Sequence, residues 1–217
     1  MSLSPTGSNV TGSFQVIGTG SEPVAIEVRI FERQTDIYGI ENRVDAEENF
    51  MIYPPQILLN PGEVQTIRVT WLGDPELESE QAFRLITEQL PIRLDDAAIA
   101  PSNGLQVNIT AIYNYVASVY VTPPGAEPLL SLNAAHELQD GKDMLMLTFN
   151  NQGTAHQLLE NLQLTLMTEA TTLQLASEDL EGVSGENILA QHQRQFMIPW
   201  PESLPIGEIT ANFNLGY

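Results

Sequence analysis

The stretch GLQVNITAIYNYVASVYV, residues 104–121, places an apolar side chain at every odd position from Leu105 to Val121. Successive side chains of a β-strand point to opposite faces, so this spacing predicts a strand with one buried face. The even positions are polar at first and mixed later, which indicates burial on one face and then on both. A strand of this length would extend for about 55 Å, whereas strands usually have about 5 to 6 residues. Either a bend or bulge divides it, or part of it projects beyond its own sheet.

The rest of the chain has the pattern of an all-β protein. Short runs of alternating apolar residues recur between clusters of Gly, Pro, Asn and Asp, and helical periodicity is weak. Pro54 and Pro55 interrupt one such run and are expected at an edge or a crossover, because proline cannot donate to a ladder. The segment Pro123-Pro124-Gly125 is typical of a linker. We therefore predict two β-sandwich domains, residues 1–122 and 123–217.

Composition excludes several classes of partner. The 217 residues carry a net charge of −20, with 8 Lys and Arg against 28 Asp and Glu. Without a basic patch the chain is not expected to bind nucleic acid or an anionic membrane surface. No apolar run is long enough to suggest a transmembrane helix.

The sequence contains no motif typical of catalysis or metal binding. His136, His156 and His192 are far apart, and none has a second ligand at the spacing of a metal site. The Gly-rich segments contain neither a nucleophile elbow nor a phosphate-binding Lys. We therefore expect a protein without a cofactor or metal that is not an enzyme.

Three stretches together resemble the periplasmic chaperones of the chaperone–usher pilus pathway, the PapD-like family. They are FMIYPPQILLNPGEVQTIRVTW (50–71), QAFRLITEQLP (81–91) and the long segment 104–124, which ends in Pro-Pro. The similarity continues through LMLTFNNQGTAHQLLENLQL (145–164), with its N-x-G turn. The details are most similar to the branch called archaic or alternative.

The resemblance implies two immunoglobulin-like domains set at an angle and a function in fimbrium biogenesis. The long strand would be lent to a pilus or fimbrial subunit whose own sandwich lacks one, a process called donor-strand complementation. The donor residues would be Leu105, Val107, Ile109 and Ala111. The chaperone would then deliver the subunit to an outer-membrane usher. An exposed apolar edge also predicts self-capping, by a loop or by a second copy in a dimer.

The family usually anchors the C-terminal carboxylate of the subunit with two basic residues in a cleft, and here the pattern differs. The long strand carries no base, and Asn114 or Ser118 occupies the equivalent position, depending on the alignment. The first strand of the family is expected to be missing or shortened ahead of Leu3. Arg84 is the best remaining cation, and it is equally consistent with pairing to Glu88 on its own strand.

Two other functions remain open at the level of sequence. One is an immunoglobulin-like structural or adhesin module of the cell surface without chaperone activity. The other is a carbohydrate- or calcium-binding sandwich that would use Trp71 or Trp200 together with acidic loops.

Overall fold

The computed structural model describes residues 1–90 and 114–216. These residues form β-strands and three short 3-10 turns, at Ser8–Val10, Glu47–Asn49 and Ser177–Asp179, and contain no α-helix. None of the described residues therefore forms a helix that could cross a membrane. The prediction of an all-β fold with immunoglobulin-like sandwiches is confirmed.

The chain forms two compact units. The first comprises Met1–Arg33, Arg43–Glu76 and Ala82–Val121, and the second comprises Gln34–Asn42, Leu77–Gln81 and Thr122–Tyr217. Two short segments from the first half of the sequence, 34–42 and 77–81, thus group with the residues that follow Val121.

Among the described residues, nine strands precede the Pro-Pro segment: β1 (Ser2–Leu3), β2 (Thr11–Ile17), β3 (Val24–Thr35), β4 (Glu41–Asp45), β5 (Phe50–Tyr53), β6 (Gln56–Leu59), β7 (Val64–Trp71), β8 (Gln81–Gln89) and β9 (Asn114–Val121). One sheet has the order β1-β9-β8-β3-β4, with β6 also paired to β3, and the other has the order β2-β7-β5. Pro54 and Pro55 lie where the chain passes from β5 in one sheet to β6 in the other, as expected of residues that cannot extend a ladder.

The core of the first unit follows from strand alternation. Val28 and Ile30 of β3, Phe83 and Leu85 of β8, and the alternate residues of β7 point inward and are buried. Three aromatic rings from facing sheets close this core at one end. The ring of Phe50 lies 5.0 Å from that of Trp71 and 4.8 Å from that of Phe83, both edge-to-face, an arrangement that adds to the stabilisation from burial.

The second unit contains β10 (Leu130–Gln139), β11 (Lys142–Asn151), β12 (Gln157–Leu158), β13 (Leu162–Met167), β14 (Thr172–Leu175), β15 (Asn187–Ile188), β16 (Gln193–Pro199) and β17 (Thr210–Leu215). Its sheets have the orders β10-β11-β16 and β14-β13-β17, and β12 pairs with β15. The leucines of β11 and β13 alternate inward and are fully buried together with Phe149.

A buried side-chain amide organises the loops at the end of β11. The Nδ2 atom of Asn151 lies within hydrogen-bond distance of the carbonyl oxygens of Ala155, Ile188 and Leu189, at 2.8, 3.2 and 3.1 Å. Its Oδ1 atom accepts from the backbone N–H groups of Leu129 and Gly153, at 3.1 and 3.0 Å. Asn151 is the first residue of the N-x-G motif, so one amide satisfies backbone groups from three segments of chain.

A buried carboxylate performs a similar task elsewhere in the second unit. The Glu80 side chain is only 3% exposed, and it accepts from the Thr122 hydroxyl at 2.8 Å and from the His156 backbone N–H at 3.1 Å. The His156 Nδ1 atom lies 2.6 Å from the same carboxylate. A buried carboxylate requires such partners, because an unpaired charge in the interior is strongly destabilising.

We expect Asn151→Ala to lower the free energy of unfolding by about 3 to 5 kcal/mol, because each buried polar group left without a partner costs about 1 to 3 kcal/mol. The measurement is calorimetric unfolding. Asn150→Ala removes the same kind of side chain from the preceding position of β11, which is only half-buried, and should cost less than about 1 kcal/mol. Equal losses in the two variants would contradict the role assigned to Asn151.

Candidate functional site

The outward side of the larger sheet in the first unit gathers most of the arginines of the chain. We call it the arginine face and define it by the residues that alternate with the core positions. They are Arg29, Phe31 and Arg33 on β3; Arg84, Ile86 and Glu88 on β8; and Asn114, Val116, Ser118 and Tyr120 on β9. Arg43 of β4 lines a cavity on this face. Four of the seven arginines thus share one sheet face in a chain of net charge −20.

Two of the three residues predicted to anchor a carboxylate lie together on this face. The guanidinium of Arg84 donates from Nη1 to the hydroxyl oxygen of Ser118 on the neighbouring strand. Both side chains are half-buried. A guanidinium has five N–H donors in a fixed planar fork, and this contact uses one of them and orients the group.

Asn114, the third predicted anchor residue, lies in a different place. It precedes Ser118 by four residues on β9, a separation of about 13 Å along the strand. There it lines a cavity of about 190 Å³ together with Arg29, Arg43 and Glu88. Asn114 and Ser118 were alternatives for one position, and the structure brings only Ser118 to Arg84.

The cavity beside Asn114 has an arginine that is already paired. The Arg29 guanidinium donates from Nε to Glu47 and from Nη2 to Asp45, both at 2.8 Å. The hydrogen bond to Glu47, aided by the charges of both carboxylates, raises the pKa of Arg29. Arg29 and Arg43 were not predicted as site residues. The sequence contained a signal for Arg29 in the alternation of VAIEVRIFER (24–33). This alternation places Arg29 and Arg33 on the strand face opposite to that of Val28 and Ile30.

The first part of β9 is exposed on both of its faces. Residues 114–117 are all exposed, with Tyr115 at 69% and Val116 at 46%, whereas Val119 and Val121 are fully buried. On the far side of β9, the partner strand among the described residues is β1, which pairs with Tyr120 and Val121. The expected burial of both faces late in the strand is therefore wrong for residues 114–117. This part of β9 presents apolar side chains beyond its own core.

The predicted donor residues Leu105, Val107, Ile109 and Ala111 lie outside the described residues. They immediately precede β9 in the sequence, so their assignment stays a prediction.

The tryptophans considered for a carbohydrate site serve the two cores instead. Trp71 and Trp200 are both buried, and their indole N–H groups donate to the carbonyl oxygens of Asp74 at 3.1 Å and Leu204 at 2.7 Å. Neither ring can stack on a ligand, so the prediction of a carbohydrate site built on these two rings is wrong. Among residues 1–90 and 114–216, no group of three His, Asp or Glu side chains is placed to hold a metal ion.

A comparison with family models identifies the family. Residues 4–114 match the model described as pili and flagellar-assembly chaperone, PapD N-terminal domain. The match spans more than half of the 217 residues. The chain therefore belongs to this family of assembly chaperones, and the resemblance found in the sequence is confirmed.

Several solved structures share the fold of this chain. A chain from the CsuC–CsuE chaperone–tip adhesion subunit pre-assembly complex of archaic Csu pili of Acinetobacter baumannii superimposes with a TM-score of 0.64 at 16% identity, covering 96% of this chain and 87% of that one. The class 5 fimbriae chaperone CfaA gives 0.56 at 14% identity, with coverages of 95% and 93%. The E. coli chaperone DraB gives 0.53 at 15% identity, with coverages of 96% and 84%. No protein with a curated description matches the sequence.

Two substitutions on the same face of β9 test where the core of the first unit ends. Val119→Asp should lower the free energy of unfolding by more than about 3 kcal/mol, because it places a charge in a closed apolar core. Tyr115→Asp, four residues earlier, should cost less than about 1 kcal/mol, since Tyr115 is already exposed. Urea denaturation measures both, and a large loss for Tyr115→Asp would show that residues 114–117 are covered in solution.

Proposed function

We propose that this protein is a periplasmic chaperone that binds pilus or fimbrial subunits by donor-strand complementation, with residues 104–111 as the donor segment. The observation that carries the proposal is the exposed, apolar beginning of β9 in a chain of the assembly-chaperone family. Exposure of the Tyr115 and Val116 side chains to water does not stabilise an isolated sandwich. If the strand continues into the sheet of a partner, these side chains can be buried in the contact.

The alternation of the donor segment supports the proposal energetically. Leu105, Val107 and Ile109 would point to one side and enter the groove of the pilus subunit, and Ala111 would follow as a small residue. Burying one such large apolar side chain contributes about 1.5 to 3 kcal/mol. Three of them provide about 5 to 9 kcal/mol before the cost of ordering the segment and the two partners.

The anchor for the C-terminus of the bound pilus protein is assigned to Arg84 and Ser118. The carboxylate would accept hydrogen bonds from the guanidinium of Arg84, and charge-assisted hydrogen bonds of this kind are stronger than neutral ones. Ser118 would hold the guanidinium in position. Asn114 is not part of this anchor, because it lies about 13 Å away along β9, at the cavity lined by Arg29 and Arg43.

Delivery to an outer-membrane usher and self-capping of the free chaperone follow from the same proposal. An apolar strand edge without a partner favours aggregation, so the free chain is expected to cover its donor segment by a loop or by dimerisation. A cell-surface structural module has no need of an open apolar strand, and the family assignment favours an assembly chaperone over that alternative.

Charged substitutions on the donor segment test the central claim. We expect Val107→Glu with Ile109→Glu to abolish the soluble complex formed when the chaperone is co-expressed with pilus subunits encoded beside its gene, because two carboxylates cannot enter an apolar groove. The measurement is co-purification followed by mass determination of the complex.

The matched control adds the same two charges to the opposite face of the segment. Gln106→Glu with Asn108→Asp should leave the complex intact, since these positions would face away from the groove. Loss of the complex in both variants, or in neither, would contradict the proposed orientation of the donor segment.

Replacing Arg84 tests the anchor separately. Arg84→Gln should weaken binding of a pilus subunit with a free C-terminal carboxylate by about 10- to 100-fold, as expected for loss of a charge-assisted hydrogen bond. It should have little effect on a subunit whose C-terminus is amidated. Arg68→Gln on the exposed side of β7 is the control of equal charge. Equal weakening with both forms of the pilus protein would exclude Arg84 as the carboxylate partner.

A further inference from the structure

The outward side of the sheet β14-β13-β17 in the second unit carries uncharged polar side chains on all three strands. We call this surface the amide face. It consists of Gln163 and Thr165 on β13, Gln174 on β14, and Asn212 and Asn214 on β17. The inward residues of the same strands are Leu, Ala and Phe, which pack on the core of the unit.

Strand register arranges these side chains as a grid. Thr165 lies opposite Gln174 on one side and Asn212 on the other, and Gln163 lies opposite Asn214. Neighbouring strands are about 4.8 Å apart, and residues on one face of a strand repeat about every 6.7 Å. Four amides and a hydroxyl thus form two adjacent rows, with donors and acceptors at regular spacing.

The grid lines a cavity of about 410 Å³. This volume lies in the range of ordinary small-molecule sites, about 300 to 1,000 Å³. The aliphatic carbons of the glutamine and threonine side chains give its wall apolar atoms as well as polar groups. Asp179 is the one charged residue in the lining, and its carboxylate already accepts the backbone N–H of Ala176 at 3.0 Å.

The polar groups of the grid are not used by the fold. Within the described part of the chain, none of these five side chains forms a hydrogen bond to another protein group. Each side-chain amide offers two N–H donors and a carbonyl acceptor, and the threonine hydroxyl offers both functions. The described residues that line the cavity also include no Lys, Arg or His, which an anionic ligand would require.

We propose that the amide face binds a neutral oligosaccharide, a second binding site that does not depend on the chaperone activity proposed above. Sugar hydroxyls both donate and accept, so a row of amides can serve neighbouring hydroxyls of one ring. The C–H faces of the ring contact the apolar part of the wall. An anionic ligand finds no cation here, and an apolar ligand would leave the amides without partners at a cost.

The experiment uses the whole chain and three neutral probes: maltohexaose, cellohexaose and chitohexaose. The side-chain NH₂ signals of Gln163, Gln174, Asn212 and Asn214 are followed by ¹H–¹⁵N NMR during titration. We expect at least one neutral probe to shift these signals saturably, and a galacturonic acid hexamer to leave them unchanged because its carboxylates find no cation.

Two variants connect binding to the grid. Gln163→Ala with Asn212→Ala should weaken binding at least tenfold, since each lost hydrogen bond costs about two- to tenfold in affinity. Gln15→Ala, at an exposed position of β2, should leave it unchanged. The thermal midpoint of both variants should match that of the parent, because these side chains support no contact of the fold.

Four results would overturn the proposal. They are the absence of any saturable shift up to the solubility limit of the neutral probes, equal shifts with the acidic hexamer, undiminished binding by the double variant, and shifts that depend on protein concentration alone. The last result would assign the amide face to a contact between two copies of the chain.

Discussion

The burial of Val119 and Val121 in the first unit is the constraint on which the proposed function depends. Both side chains are fully enclosed, and together they set the register of β9 in its sheet. Because faces alternate along a strand, this register turns Ser118 and Tyr120 outward and places Ser118 beside Arg84. It also leaves residues 114–117 beyond the edge of the core, where Tyr115 and Val116 stand in water. The end of the strand at Val121 is therefore fixed in its own domain, whereas the end at residues 114–117 is exposed.

Electrostatics in a chain of this charge depends on local pairing. Arg29 is bound by two carboxylates, and such a guanidinium has little attraction left for a third. The contact of Arg84 with Ser118 is different in kind, because a hydroxyl is an uncharged acceptor that orients the guanidinium. A surface rich in carboxylates repels an anionic C-terminus. In a chain with this acidic excess, the proposed anchor at Arg84 would supply the positive charge that such a C-terminus requires.

The second unit uses the same chemical group in two opposite ways. The amide of Asn151 is buried and is surrounded by five backbone partners, so it stabilises loops from three segments of the chain. The amides of the amide face form no hydrogen bond to another of the described residues, and they line a cavity. A buried amide must satisfy its own donors and acceptors, whereas amides on an open face remain available to a ligand.

The sequence by itself determined which side chains share a face. Its period of two predicted an all-β chain and the inward direction of Val119 and Val121, because alternation is a local property of an extended backbone. Proline chemistry predicted an edge or a crossover at Pro54 and Pro55. Only the tertiary structure decided which faces meet. It placed Ser118, and not Asn114, at Arg84; it brought Arg29 to Asp45 and Glu47; and it buried Trp71 and Trp200. These outcomes depend on the order and register of strands that are distant in sequence, and a one-dimensional pattern does not contain that information.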